Sequence, residues 1–147
     1  MSQFLKMFQN VGAEQFSKLV GTVAPYFSTI DPEFVELKPG YAEMILRNQK
    51  KVHNHIGTIH AIAMCNAAEL VAGTMTDVSI PSGARWIPQA MSVQYLNKAK
   101  TDLKVVAEGE GIDFSQGGAV VVPVSAYDDA GEKCFTADIT MNVKLGA

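Results

Sequence analysis

The stretch HNHIGTIHAIAMCNAAELVAG, residues 53–73, constrains the fold more than any other part of the chain. From Ile59 onward it reads as a helix that is apolar almost all round, with alanines at 61, 63, 67, 68 and 72. A helix without a polar face has to be enclosed, and small side chains let neighbouring segments approach it closely. Thr58 stands where an N-cap is expected and Gly73 where a C-cap is expected. A chain of 147 residues is long enough for one domain with a core that can enclose such a helix.

The flanking segments supply the enclosure. Residues 3–20 carry Phe4, Phe8, Val11, Phe16, Leu19 and Val20 at helical spacing. Gly21 and Pro25 end or bend that pattern, and a short turn or helix follows at 25–30. The phenylalanine stripe reads as packing rather than lipid contact. Phe34–Leu37 and Tyr41–Leu46 form a hairpin across Pro39-Gly40, and 48–52 is a basic loop. After Gly83 the chain turns to strands at 85–96, 103–110, 119–127 and 134–145. The last alternates Phe135, Ala137, Ile139, Met141 and Val143, as a half-buried strand does. The sequence DDAG at 128–131 joins the last two strands as a hairpin, and Pro123 within VVVPV points to a bulge or an edge. One buried helix among many strands argues an α+β fold with an antiparallel sheet curled about the helix. Long antiparallel strands leave edges, which a second copy of the chain often covers.

Composition removes several classes of function. A net charge of −3 argues against general nucleic-acid binding. No apolar run approaches the ~20 residues of a membrane span, and the polar-interrupted N-terminus is no signal peptide. Cys65, in the helix, and Cys134, in a strand, read as two reduced thiols of a cytoplasmic protein rather than a disulfide. His53, His55 and His60 are completed as a metal set by no nearby Cys or Asp. No metal and no cofactor is expected.

Three polar residues stand out around the helix: Asn54 in the loop before it, His60 in its first turn, and Glu69 among Ala67, Ala68, Leu70 and Val71. A carboxylate in apolar surroundings is costly unless paired, and its pKa tends to rise, which suits a general base near neutral pH. The first turn of the helix presents free backbone N–H groups and a positive dipole end, which suit an oxyanion. Ala61 and Glu69 are eight residues apart, ~12 Å along a helix axis. One helix cannot bring both to a single carbon. Two antiparallel copies across a two-fold axis can, so a site built from them needs at least a dimer. Asn66 and Gly73 flank Glu69 on the same face and could meet a ligand or a partner helix.

Asn54, then His60 six residues on, then Glu69 nine further, with Gly57-Thr58 between the first two, resembles the hot-dog-fold thioesterase superfamily, closest to its phenylacetate-pathway type. The stretch MSVQYLNKAKTDL, residues 91–103, resembles that family's central strand and basic turn. The resemblance spans roughly residues 33–145. It implies a single hot-dog domain over 1–147: an extra N-terminal helical segment at 1–30 and a core at 33–145 in which a curled antiparallel sheet wraps one long central helix. It also implies hydrolysis of an acyl-thioester, carried by CoA or an acyl-carrier protein, in a homodimer or dimer of dimers. Glu69 would be the base or nucleophile. Asn54 would hold the attacking water or the substrate carbonyl, the Ala61 N–H would polarise the thioester carbonyl, and His60 would meet the leaving thiol. Gly57, Asn66 and Gly73 would line the substrate site, and Lys98 and Lys100 would meet CoA phosphates. Ala61 and Ile62 stand where the family usually has two glycines, and Pro88 stands near a position where it often has Ser or Thr. Those departures keep a second reading open, a scaffold that binds an acyl group without cleaving it. A hydratase on the same fold ranks last.

Overall fold

The computed structural model describes residues 2–146. The elements are α1 (Gln3–Val23), β1 (Glu33–Lys38), β2 (Tyr41–Leu46), α2 (Ala61–Ser79), β3 (Arg85–Tyr95), β4 (Leu103–Glu108), β5 (Gly118–Tyr127) and β6 (Lys133–Lys144), with 3-10 segments at Pro25–Ile30 and Lys50–Val52. The six strands form one antiparallel sheet in the order β1-β2-β4-β5-β6-β3. The sheet curls about α2, which touches every strand. This is the hot-dog fold with an added N-terminal helix.

The core lies between α2 and the concave face of the sheet. Ala67, Ala68, Leu70, Val71, Ala72 and Met75 of α2 are buried against alternate residues of the strands, such as Met44, Val105, Val124 and Ile139. Strand period 2 explains why Phe135-x-Ala137-x-Ile139-x-Met141-x-Val143 packs while Asp138 and Asn142 face out. The hairpin between β5 and β6 turns where expected, with Asp128 Oδ1 accepting from the N–H groups of Ala130 and Glu132.

The N-terminal phenylalanines are packing residues. Phe16 is fully buried and meets Phe4, Phe8 and Phe34 edge-on at 6.0, 5.5 and 5.0 Å between ring centroids. Val11 departs from the expected stripe and is exposed. The cause is Gly12, whose φ of 81° breaks α1 into two stretches and resets the helical phase. The helix also runs past Gly21 to Val23.

Several boundaries differ from expectation for reasons outside the local sequence. α2 begins at Ala61 rather than Ile59, because the Ile59 N–H bonds to Ala99 O and the His60 N–H to Val52 O, which holds both residues extended. His60, not Thr58, is the N-cap. Gly73 is not a C-cap: the helix continues to Ser79 with Ile80 as its cap, and Gly73 serves a close contact instead. A Cβ there would lie 2.7 Å from Cη2 of Trp86. β4 ends at Glu108, and the Gly109 N–H still bonds Gly40 O, one step further in the β2–β4 register. Pro123 marks no bulge and lies on an interior strand, but one residue beyond the last β4 pairing at Val124. The 48–52 loop contains the short 3-10 turn at Lys50–Val52.

Candidate functional site

The head of α2 is held by the loop 53–60, and Asn54 organises that loop. Its Oδ1 accepts the N–H groups of Ile56 and Thr58, each at 3.1 Å, and its Nδ2 donates to Thr58 Oγ1 at 2.7 Å. The Asn54 N–H and C=O also bond within the loop, to Thr58 O and from the Gly57 N–H. Gly57 supplies the positive φ (82°) that the turn requires. One N–H of the Asn54 amide is left for any other partner. Thr58, expected as a helix cap, is the hydroxyl that anchors Asn54.

His60 caps α2 with its side chain: Nδ1 accepts the Ile62 N–H at 3.0 Å. That acceptance places the ring proton on Nε2, which is left as a donor. The Ala63 and Met64 N–H groups bond to His60 O. Among the described residues the Ala61 N–H has no hydrogen-bond partner, so the head of the helix keeps one free donor at its positive end.

Two clefts flank this helix head. One, of about 360 Å³, is lined by Asn54, Thr58, Ala61, Met64, Tyr95 and Lys98. Lys98 therefore borders this cleft. Lys100 does not line this cleft; it is exposed, and its carbonyl accepts from Asn48 Nδ2. The other cleft, of about 200 Å³, lies between α2 and the Pro25–Ile30 segment and is lined by Tyr26, Thr29, His53, His60, Ile62 and Asn66. His53 Nε2 is already bonded to Asn48 Oδ1 at 2.6 Å.

Glu69 lines neither cleft. Its position follows from its neighbours at i±4. Cys65 Sγ lies 3.6 Å from Tyr95 Oη at the end of β3, and Gly73 packs under Trp86 at its start. α2 and β3 thus run antiparallel side by side, with Glu69 midway on the same flank. It is half-exposed there, not enclosed by apolar groups as the sequence suggested. The reason is the open edge of the sheet: β3 pairs with β6 on one side only. Its residues Pro88, Met91, Val93 and Tyr95 lie opposite the buried Met141, Ile139, Ala137 and Phe135, which places them on the concave face. Yet Met91 is 41% and Tyr95 55% exposed. A flank that a sheet would normally cover is uncovered in the single chain.

Tyr95 lines the larger cleft and Thr29 and Tyr26 the smaller, while Cys65 and Trp86 lie along the flank of α2 that carries Glu69; none of the five was singled out as a site residue. Strict alternation would set Trp86 and Tyr95, nine residues apart, on opposite faces; the register shift between Pro88 and Ala90 brings both to the concave one. The contact with the Cys65 thiol, and then burial, holds the Tyr95 phenol above its ordinary pKa. Trp86 Nε1 donates to Asp77 Oδ1 at 3.0 Å, which locks the indole over Gly73. Cys65 and Cys134 are both buried and unpaired. Burial, with Asp128 and Glu132 nearby, pushes the Cys134 thiol up. Among the described residues no three His, Cys, Asp or Glu side chains gather as a metal site would require, and no helix is long and apolar enough to cross a membrane.

A family model described as a domain of unknown function, DUF4442, matches residues 12–143. The chain belongs to that family. A DUF4442 chain with this fold has solved relatives. The crystal structure of a genomics target is 56% identical, covers 98% of this chain and 97% of the other, and superposes with a TM-score of 0.90. A protein of Pseudomonas aeruginosa described as a probable thioesterase is 20% identical over 90% of this chain and 99% of its own, at a TM-score of 0.79. A protein of Streptococcus mutans solved with acetyl-CoA bound is 17% identical over 78% and 90%, at 0.68. The two distant likenesses establish a shared fold. No curated protein matches the chain.

Proposed function

We propose that this DUF4442 chain hydrolyses an acyl-thioester, with residues 1–147 acting as one hot-dog domain and two copies completing each site. The observation that carries the reading is the unpaired Ala61 N–H at the head of α2, open to a cleft, while Glu69 sits two turns away on a flank that only another chain can cover. Antiparallel pairing of two β3 edges across a two-fold axis would lay two α2 helices side by side in opposite directions. Glu69 of one copy would then face the helix head of the other. The exposure of Met91 and Tyr95 on the concave side of β3 supports that assembly.

In this reading the thioester carbonyl accepts the Ala61 N–H and the helix dipole stabilises the oxyanion. Glu69 takes a proton from water as the water oxygen bonds to the carbonyl carbon. The tetrahedral intermediate expels the thiolate, which receives the proton from Glu69, leaving a free acid and a thiol. The remaining amide N–H of Asn54 and the Nε2–H of His60 are donors for the carbonyl and for the leaving sulfur. Gly57 keeps the loop tight. Lys98, in the cleft, and Lys100, just beyond it, suit the phosphates of CoA or of a carrier-protein arm. The acetyl-CoA held by the Streptococcus mutans relative agrees with a CoA ester. The Asn54, His60 and Glu69 spacing follows the phenylacetate-pathway type, and the reading places the enzyme in the cytoplasm as a homodimer or a dimer of dimers.

The test is thiol release from a panel of short, long and aromatic acyl-CoAs, with Glu69→Ala and Glu69→Gln beside the wild type. Release that falls by about 10²-fold or more in both variants is expected. A folded Glu69→Ala protein with full activity would remove the proposed base. A specific observation favours the second reading, an acyl-binding module: Ile62, where the thioesterase resemblance expects a glycine, is 54% exposed and lines the smaller cleft. Tight binding of acyl-CoA without release would select it.

A further inference from the structure

We propose that two copies of this chain pair through β3 in one register, centred on Val93, and that Met91 of the partner subunit thereby walls the larger cleft and limits the length of the acyl group. The inference rests on the thioester reading and adds to it the register of the interface and a residue that sets substrate size.

The register follows from which backbone groups the edge leaves open. The Leu96 N–H bonds Cys134 O at 2.8 Å. Bonded positions alternate along an antiparallel ladder. Leu96, Gln94 and Ser92 therefore turn their N–H and C=O groups to β6, while Tyr95, Val93 and Met91 turn theirs outward. Among the described residues no strand lies on that side. The regular edge is bounded at both ends. Pro88 has no N–H to give, and Gln89 is the extra residue at the register shift between Pro88 and Ala90. At the other end β3 stops at Tyr95. Val93 is the centre of what remains. A two-fold axis there sets Val93 against Val93 and Met91 against Tyr95, so every outward donor meets an acceptor. An axis at Ser92 would leave Tyr95 unmatched, and one at Gln94 would leave Met91 unmatched.

A second copy is the occupant that the edge fits. Residues 86–97 carry no charge, so the strand can face itself without opposing like charges. The lysines by which exposed edges commonly repel a neighbour are absent from it. Cys65, midway in sequence between Ala61 and Glu69, touches Tyr95, two residues from the axis, so strands and helices can share one two-fold. Directly paired residues point to the same face, ~5.5 Å apart at Cα. Met91 of the partner subunit then stands beside Tyr95, which lines the cleft that also holds Ala61. A flexible thioether against an aromatic ring closes the open side of that cleft, a contact that sulfur favours. With the buried Ile59 and Met64 also lining it, the cleft becomes an apolar slot for the carbon chain of the acyl group.

The register is read by cysteines on the convex face, where Ser92 and Gln94 are exposed. With the axis at Val93, Ser92 lies opposite Gln94 of the partner subunit, ~4.5 Å apart at Cα. Two copies of Ser92, or two of Gln94, stand roughly 8 Å apart, beyond the reach of a disulfide. Under mild oxidation the double variant Ser92→Cys/Gln94→Cys should run as a covalent dimer on a non-reducing gel, while neither single variant nor the wild type does. A covalent dimer of either single variant would move the axis by one residue and overturn the register. No covalent dimer from the double variant would overturn the β3 pairing. The place of Met91 is read from straight-chain acyl-CoAs of rising length. Met91→Ala should raise turnover of the longer esters relative to the shorter by about tenfold or more, and Met91→Phe should lower it. Unchanged ratios in both variants would overturn the role of Met91 and leave hydrolysis standing. The expected cross-links without turnover of any ester would sustain the pairing and remove hydrolysis, and binding of the S-alkyl thioethers of CoA would then supply the ratios that decide Met91.

Discussion

Replacing Gly73 with alanine sets two known effects against each other at one site. The new Cβ would lie 2.7 Å from Cη2 and 3.3 Å from Cζ3 of Trp86, against an ordinary carbon contact of ~3.5–4.0 Å. The ring or the helix must therefore retreat by roughly 1 Å. The ring has little freedom to do so, since Nε1 is bonded to Asp77 and its strand is paired to β6. Overpacking of this kind costs about 1–3 kcal/mol, while alanine in place of glycine within a helix recovers about 1 kcal/mol. In the native background Gly73→Ala should be neutral to destabilising, by up to about 2 kcal/mol. In a Trp86→Leu background the obstacle is gone, and the same change should stabilise by about 1 kcal/mol. The assay is urea unfolding of the four proteins of the cycle, followed by far-UV circular dichroism because Trp86 is the single tryptophan. Protein concentration is held fixed, since self-association alters apparent stability. A coupling below about 0.5 kcal/mol would refute the claim that Gly73 is present to admit the indole.

Two further outcomes are expected. Met91→Arg places a charge on the concave side of the open β3 edge, and sedimentation should show monomers at concentrations where the wild type is associated; an unchanged assembly would show that β3 is not the interface. The second concerns Asp102, whose carboxyl is held below its ordinary pKa by the Asn48 N–H and by Arg47. A depressed folded pKa contributes stability above the unfolded value, near ~3.9, and that contribution is lost as pH falls through the lower folded value. Asp102→Asn should therefore flatten the fall in stability below about pH 4, as read by urea midpoints across that range; an identical slope would show that the carboxylate is not linked to folding.

Much of the architecture was legible because burial imposes local periods on a chain. The almost all-round apolar run from Ile59 to Gly73 had to lie inside a sheet, and the alternation of Phe135 to Val143 had to lie on one of its faces. The Asn54, His60 and Glu69 spacing was equally readable, and helical rise alone separates Ala61 from Glu69 by ~12 Å. Local pattern was less informative where a bond reached across the fold. Ile59 and His60 look helical in sequence, yet Ala99 and Val52 hold them extended. Gly12 offers no apolar signal, so the break that leaves Val11 in solvent was invisible.

Within the site, residue types came from the sequence and their tasks came from tertiary structure. Asn54 was recognisable as a polar residue at family spacing, but only the folded loop shows its amide spent on Ile56 and Thr58. Glu69 reads as buried because its sequence neighbours are apolar. It is half-exposed because strand order leaves β3 at an edge. Gly73 reads as a helix end and is a seat for Trp86, thirteen residues away. The Asn66 amide donates to Thr29, which reaches it only once the Pro25–Ile30 segment has packed on α2. By itself the sequence determined which segments are helix or strand and the inward face of the strands, since those follow from 3.6- and 2-residue periods along the chain. Strand order, the open edge and the partners of each polar atom were decided by packing among residues distant in sequence, which no local period encodes.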